Sequence, residues 1–98
     1  MTLKTPQEAI DMAAQTIRAR VSDVAYKVFL FGSRASGRAH DRSDIDIGIE
    51  GPTPVPDSVM LDIKEELEES PTLYTIDVVD FTRVPQKFRA VARERVAL

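Results

Sequence analysis

The residues best suited to chemistry are Asp44 and Asp46 in the run Asp44-Ile45-Asp46-Ile47-Gly48-Ile49-Glu50. Strict alternation predicts a strand with Ile45, Ile47 and Ile49 on one face and Asp44, Asp46 and Glu50 on the other. Carboxylates at i and i+2 then share a face with their Cα atoms roughly 6.5 Å apart. The isoleucine face sets the register, so the pair cannot rotate away from itself. Two like charges this close call for water or a cation between them, and a hard ion such as Mg²⁺ takes one or two carboxylates together with substrate phosphate oxygens. The plainer reading is a half-exposed strand with a polar outer face. Two later acids are candidate partners, Asp77 and Asp80 in Thr75-Ile76-Asp77-Val78-Val79-Asp80. Tyr74, Ile76 and Val78 are the apolar set expected against helices, with Asp80 on their side at the strand end as a turn residue. Asp77 falls on the other side and is the better partner for Asp44 and Asp46. Buried alone it would cost several kcal/mol, an objection that a metal would remove.

Gly32-Ser33 follows the short apolar run Tyr26-Lys27-Val28-Phe29-Leu30-Phe31. A glycine and a hydroxyl at a strand-to-helix turn let backbone N–H groups approach an anion, although alone the pair is an ordinary turn and cap. Arg34, Arg38 and Arg42 cluster in the same stretch, where they either draw in phosphate or merely solubilise a loop. Arg34, next to Ser33, is the best placed. The candidate nucleotide-binding set is Gly32, Ser33, Arg34 and Ser43. Gly32 and Gly37 have P-loop spacing, but Arg38-Ala39 stands where Lys and Ser or Thr are required. His40 has no second His or Cys with which to hold a transition metal and reads as a solvated loop residue.

The elements that must carry these residues can be read from spacing. Thr5-Pro6-Gln7-Glu8 is a capping box with Pro at the first helical position, opening a helix to about Arg20. Residues 32–43 read as loop or short helix, and 51–56 as a proline-rich connector. Asp57 or Ser58 caps a second helix whose buried stripe is Val59, Met60, Ile63 and Leu67, leaving Glu65, Glu66, Glu68 and Glu69 to solvent. A third strand runs from Leu73 to Phe81. A closing helix from near Pro85 buries Val84, Phe88, Val91, Ala92 and Val96, while the terminal Val96-Ala97-Leu98 is a candidate docking end. The order helix, strand, loop, strand, helix, strand, helix predicts an α/β (α+β) fold: a small mixed sheet with helices mainly on one face.

Composition narrows the classes further. A length of 98 residues predicts one domain, 1–98, without room for a second substrate domain. With 43% hydrophobic and 30% charged residues the chain can build a core. No apolar run reaches the ~18 residues of a membrane span, and Met1 to Pro6 lacks a secretion signal. The absence of Cys excludes disulfides and thiolate metal sites, so cytoplasm is the default compartment. A net charge of -3 speaks against direct nucleic-acid binding, though not against a nucleotide.

Gly32-Ser33, ten residues, Asp44-x-Asp46 and a later Asp77 together closely resemble the minimal nucleotidyltransferase (MNT) family of the DNA polymerase beta superfamily, over essentially the whole chain. The resemblance implies a nucleotidyltransferase fold, Mg²⁺ on Asp44 and Asp46, Asp77 as the third acid, and phosphates on Gly32 and Ser33. It further implies the antitoxin of a HEPN/MNT toxin-antitoxin pair, which transfers AMP from ATP to a tyrosine of a helical HEPN ribonuclease toxin encoded by the adjacent gene. Nucleotidyl transfer uses two cations, and three convergent carboxylates suffice to hold them, with Asp77 facing the acceptor. Two alternatives remain open: an antitoxin that only masks its toxin, and transfer to a small molecule such as an aminoglycoside. The latter relatives use an additional helical domain.

Overall fold

The computed structural model describes residues 2–40, 42–87, 89 and 93–98. Helix α1 spans Pro6–Arg20, and the capping box forms as expected: Glu8 N–H donates to the Thr5 hydroxyl at 3.1 Å and the Glu8 carboxylate accepts from Thr5 N–H at 3.2 Å. Strand β1 (Lys27–Phe31) runs into the short helix α2 (Ser33–Ser36), then come β2 (Ile45–Glu50), α3 (Asp57–Glu68), β3 (Ile76–Asp80) and β4 (Val96–Ala97). The sheet order is β3-β2-β1-β4. Strand β2 is antiparallel to β1 and parallel to β3, and β4 is antiparallel to β1, so the sheet is mixed. The parallel pair requires a crossover connection, which the proline-rich segment and α3 supply.

Ile45, Ile47 and Ile49 are each 0% exposed and, with Val28, Leu30 and Val78, form the aliphatic face. Ala13 and Ile17 of α1 and Ile63 and Leu67 of α3 pack onto it, so both long helices cover the same side. Tyr74 and Ile76 join this cluster from its margin, and Glu65, Glu66, Glu68 and Glu69 are exposed. The opposite face is aromatic. Phe29 and Phe81 are buried there, with Phe31, Val79 and Val84 against them. The Phe31 and Phe81 rings meet edge to face, their centroids 4.9 Å apart. Gly48 makes the room, since a Cβ on it would lie 2.4 Å from the Phe29 ring and 2.8 Å from that of Phe81.

The structure differs from sequence expectation in three places. Helix α3 has Pro56 as its N-cap, with no side-chain cap. Asp57 is its first helical residue, where a carboxylate favours the positive end of the helix and here pairs with Arg83 at 3.0 Å. The third strand begins at Ile76, not Leu73; of the lead-in, Thr72 makes an isolated bridge with Leu3.

The third difference is at the chain's end. Val84 packs on the aromatic cluster, Gln86, Lys87 and Arg89 are in 3-10 conformation, and Val96 lies in β4 with 48% exposure. Phe88, Val91 and Ala92 fall outside the described residues. The apolar spacing of residues 84–96 mimics a helix, but the open edge of β1 offers backbone partners. Phe29 and Leu30 pair with Ala97 and Val96, and Leu98 N–H reaches the Val28 carbonyl at 2.9 Å. Among the described residues no helix is long and apolar enough to cross a membrane.

Candidate active site

Register brings the acids together. Phe31, the last residue of β1, faces Asp46 in the antiparallel pair, and Asp46 faces Asp77 in the parallel pair. Asp44 lies just before β2, on the same side as Asp46 by alternation. Asp46 is half-buried, whereas Asp44 and Asp77 are exposed. The exposure of Asp77 removes the expected burial objection, because its carboxylate reaches water. The Asp46 carboxyl is held above its ordinary pKa, first by burial and then by the negative charges of Asp77 and Asp44. Among the described residues, no three His, Cys, Asp or Glu side chains converge closely enough to form a ready-made metal cage. The triad therefore supplies a shared face of hard oxygen donors and concentrated negative charge, not a closed coordination shell.

The chain leaves β1 through Gly32, whose φ of 76° and ψ of -153° lie in a region open essentially to glycine alone. A Cβ there would stand 2.4 Å from Oδ2 of Asp46, so the missing side chain is what lets the turn and the carboxylate touch. Ser33 opens α2, and Ala35 and Ser36 N–H both bond the Gly32 carbonyl at 3.1 Å. Gly37, with φ 79° and ψ 12°, ends the turn, and Arg38 N–H bonds the Ser33 carbonyl at 2.9 Å. Gly32 is thus directly beside Asp46, and Ser33 follows it as the first residue of α2.

Arg34 sends its side chain back along the loop. Its Nε and a terminal nitrogen donate to the Ser43 carbonyl at 3.1 and 2.7 Å, and the same terminal nitrogen lies 3.4 Å from the His40 carbonyl. The Ser43 hydroxyl accepts from His40 N–H at 2.9 Å. His40 is exposed, as expected, and its Nδ1 accepts from Arg42 N–H at 3.2 Å.

A groove of about 500 Å³ runs beside β3 and is lined by Phe31, Asp46, Lys64, Glu68, Ile76 and Asp77 among others. Lys64 and Glu68 were not anticipated at the site. Their i,i+4 spacing puts them on one flank of α3, but only the packing of α3 on the sheet shows that this flank borders Asp77.

Asp80 is 6% exposed and does more than end a strand. Its Oδ1 accepts from Thr82 N–H at 3.0 Å, the local turn contact expected of it. Its Oδ2 accepts from Val55 N–H at 2.8 Å and lies 3.4 Å from Nε of Arg83. Asp80 therefore ties the proline-rich connector to the end of β3 and helps seat α3.

The family described as polymerase beta, nucleotidyltransferase matches residues 15–96. The probable protein adenylyltransferase MntA of Haemophilus influenzae is 32% identical over 69 residues, which cover 70% of this chain and 60% of that protein. The chain thus spans about 60% of the length of this curated relative. In three dimensions it resembles a chain from a mutant MntA-HpeT toxin-antitoxin structure, with a TM-score of 0.67 at 19% identity, covering 91% of this chain and 70% of that one. It also resembles a chain from the structure of a tri-AMPylated Shewanella oneidensis HEPN toxin in complex with an MNT antitoxin, with a TM-score of 0.62 at 16% identity, covering 93% and 69%. The two structural likenesses speak for the fold, and the match across β1, β2 and β3 with their acids speaks for more: this chain belongs to the polymerase beta nucleotidyltransferase family.

Proposed function

We propose that this chain transfers AMP from ATP, with Mg²⁺, to a tyrosine hydroxyl of a helical HEPN-type toxin encoded by the adjacent gene, and acts as that toxin's antitoxin in the cytoplasm. The observation that carries this reading is the register placing Asp46 beside Asp77 while Gly32 touches Asp46. Similarity to a protein adenylyltransferase, and to a chain from a structure holding an AMPylated HEPN toxin, supports the choice of donor and acceptor.

The donor set fits Mg²⁺, which needs only one or two carboxylates when phosphate oxygens and water complete its octahedron. Asp44, Asp46 and Asp77 would hold it. Held there, Mg²⁺ would supply Lewis-acid charge that lowers the pKa of the attacking hydroxyl and offsets charge on the departing pyrophosphate. The Asp46 carboxyl, raised first by burial and then by the charges of Asp77 and Asp44, supports this reading, since a cation bound beside it would offset both effects. Gly32 and Ser33 present backbone N–H groups and a hydroxyl to the β- and γ-phosphates. Asp77, exposed at the outermost of the three paired strands, faces the acceptor and accepts its proton. The acceptor oxygen bonds the α-phosphorus as the bond to the bridging oxygen breaks and pyrophosphate leaves. Positioning and charge stabilisation do most of the work. Residues 1–98 serve as one catalytic unit that takes its acceptor from another chain.

The test combines the purified chain, Mg-ATP and the neighbouring gene product, read by intact mass and peptide mapping. Adenylate on a tyrosine is expected, lost on chelation of Mg²⁺ and in a folded Asp46→Asn variant. Folded wild-type protein that adds no adenylate to its neighbour refutes the assignment. Equal toxin neutralisation in cells by wild type and Asp46→Asn points instead to masking.

A further inference from the structure

Asp44 has a positional problem that the sheet does not solve. Strand β2 begins one residue later, and the first ladder bond runs from Ile45 N–H to the Thr75 carbonyl at 2.9 Å. Asp44 itself is exposed and follows a polar loop. The peptide that precedes Asp44 is therefore fixed by bonds outside the ladder.

Arg34 meets that need. Its Nε and terminal nitrogen converge on the carbonyl of Ser43, the residue preceding Asp44, at 3.1 and 2.7 Å. The guanidinium carbon also lies over the Tyr74 ring, 5.3 Å from its centroid, within cation–π range. Tyr74 immediately precedes Thr75, whose carbonyl opens the ladder, and its own N–H bonds the Thr72 hydroxyl at 3.1 Å. Three segments, represented by α2, the carbonyls of His40 and Ser43, and the lead-in to β3, thus meet on one guanidinium. We propose that Arg34 is a positioning residue, clamped between Tyr74 and the Ser43 carbonyl, that orients the peptide carrying Asp44 against the phosphate-binding turn.

The side-chain chemistry is specific. A planar fork can place two N–H groups on one carbonyl and still offer a face to an aromatic ring, which an ammonium cannot do. A phosphate ligand would use these same donors on the substrate. In this structure they are used on the protein.

The catalytic consequence rests on the nucleotidyl-transfer reading, but the clamp does not, so two readouts are needed. The variants are Arg34→Lys, Tyr74→Leu, Tyr74→Phe and the Arg34→Lys/Tyr74→Leu double variant, each checked for folding by thermal melting. In nucleotide-free protein, amide hydrogen exchange at residues 38–44 should accelerate about tenfold in Arg34→Lys and Tyr74→Leu, and stay near wild type in Tyr74→Phe. The double variant should exchange no faster than the more affected single, because one clamp is lost in each case. In transfer assays, kcat should fall about tenfold with KM for ATP within about twofold, and the half-saturating Mg²⁺ concentration should rise. Unchanged exchange, or additive effects in the double variant, overturns the clamp. A rise in KM for ATP with kcat preserved overturns it in favour of a phosphate ligand. If wild type transfers nothing, the proposed function fails while the exchange data still decide the clamp.

Discussion

Replacing Gly32 with alanine probes the site at its tightest point. Two costs can be separated. The backbone pair φ 76°, ψ -153° is nearly forbidden to any residue with a Cβ, and holding it there costs of order 1–3 kcal/mol. The added methyl would also stand 2.4 Å from Oδ2 of Asp46, so that oxygen must retreat by roughly 1 Å to reach ordinary contact. The oxygen is the far end of a short side chain, and the retreat costs little folding energy. It does move an oxygen of the proposed metal site, and a displacement of about 1 Å can cost about 100-fold in rate. Gly37 is the matched control. Its φ of 79° is equally positive, but its ψ of 12° lies in the left-handed helical basin, and a Cβ added there would meet nothing within 4 Å. Gly37→Ala should cost about 1–2 kcal/mol and leave transfer within about threefold of wild type. Melting curves and transfer kinetics on both variants decide the matter, with each kcal/mol worth about 4–8 °C in a domain of this size. The reasoning fails if Gly32→Ala retains full transfer, or if both variants lose activity in proportion to stability.

Other outcomes follow from the same contacts. Because the folded-state pKa of Asp46 is raised, the native state holds its proton more tightly than the unfolded chain. That contribution to stability is complete below the ordinary carboxyl value and is lost as pH rises through the folded value. Wild type without Mg²⁺ should therefore lose stability relative to Asp46→Asn as pH rises from the ordinary carboxyl range through the raised folded value; urea melts in which the difference between the two proteins does not change with pH contradict this. Mg²⁺ should stabilise wild type more than Asp46→Asn in the same melts. Asp80→Ala removes a buried acceptor of two N–H bonds, each worth about 1.5–3 kcal/mol to a charged group, and should destabilise by about 3–4 kcal/mol; a loss under about 1 kcal/mol rules out the tie. The half-exposed Arg83 pair adds only about 0–1 kcal/mol. Gly48→Ala forces buried rings apart and should cost about 1–3 kcal/mol, visible in near-ultraviolet circular dichroism and thermal melts; unchanged stability excludes the close approach.

What was legible in the sequence is what depends on local alternation and short motifs. The isoleucine face, the acids opposite it, the capping box and the choice of Asp77 over Asp80 all follow from side-chain direction along one element. The illegible parts depend on partners distant in sequence. Val96 and Ala97 form too short a strand to show a period of two, and their spacing with Val84 imitates a helix until the edge of β1 claims them. Asp80 looks like a turn residue because its Val55 contact crosses the whole crossover connection. Arg34 resembles a phosphate ligand by its place beside Ser33, and the carbonyl it holds lies across the loop.

The mixed sheet gathers its acids across unequal distances along the chain. Phe31 and Asp46 meet through a loop between neighbouring antiparallel strands, whereas Asp46 meets Asp77 only after the proline-rich connector and α3 have passed over the sheet. Longer closures cost more entropy and form more slowly, so topology favours assembling the Gly32–Asp46 half before the Asp77 half. The like-charge contact between Asp46 and Asp77 then forms after the glycine turn is in place, and the pairing of β4 with β1, the longest closure of the three, comes later still. In folding terms, Asp46 is already seated against the glycine turn when the like charge of Asp77 arrives, on the strand farthest from β4.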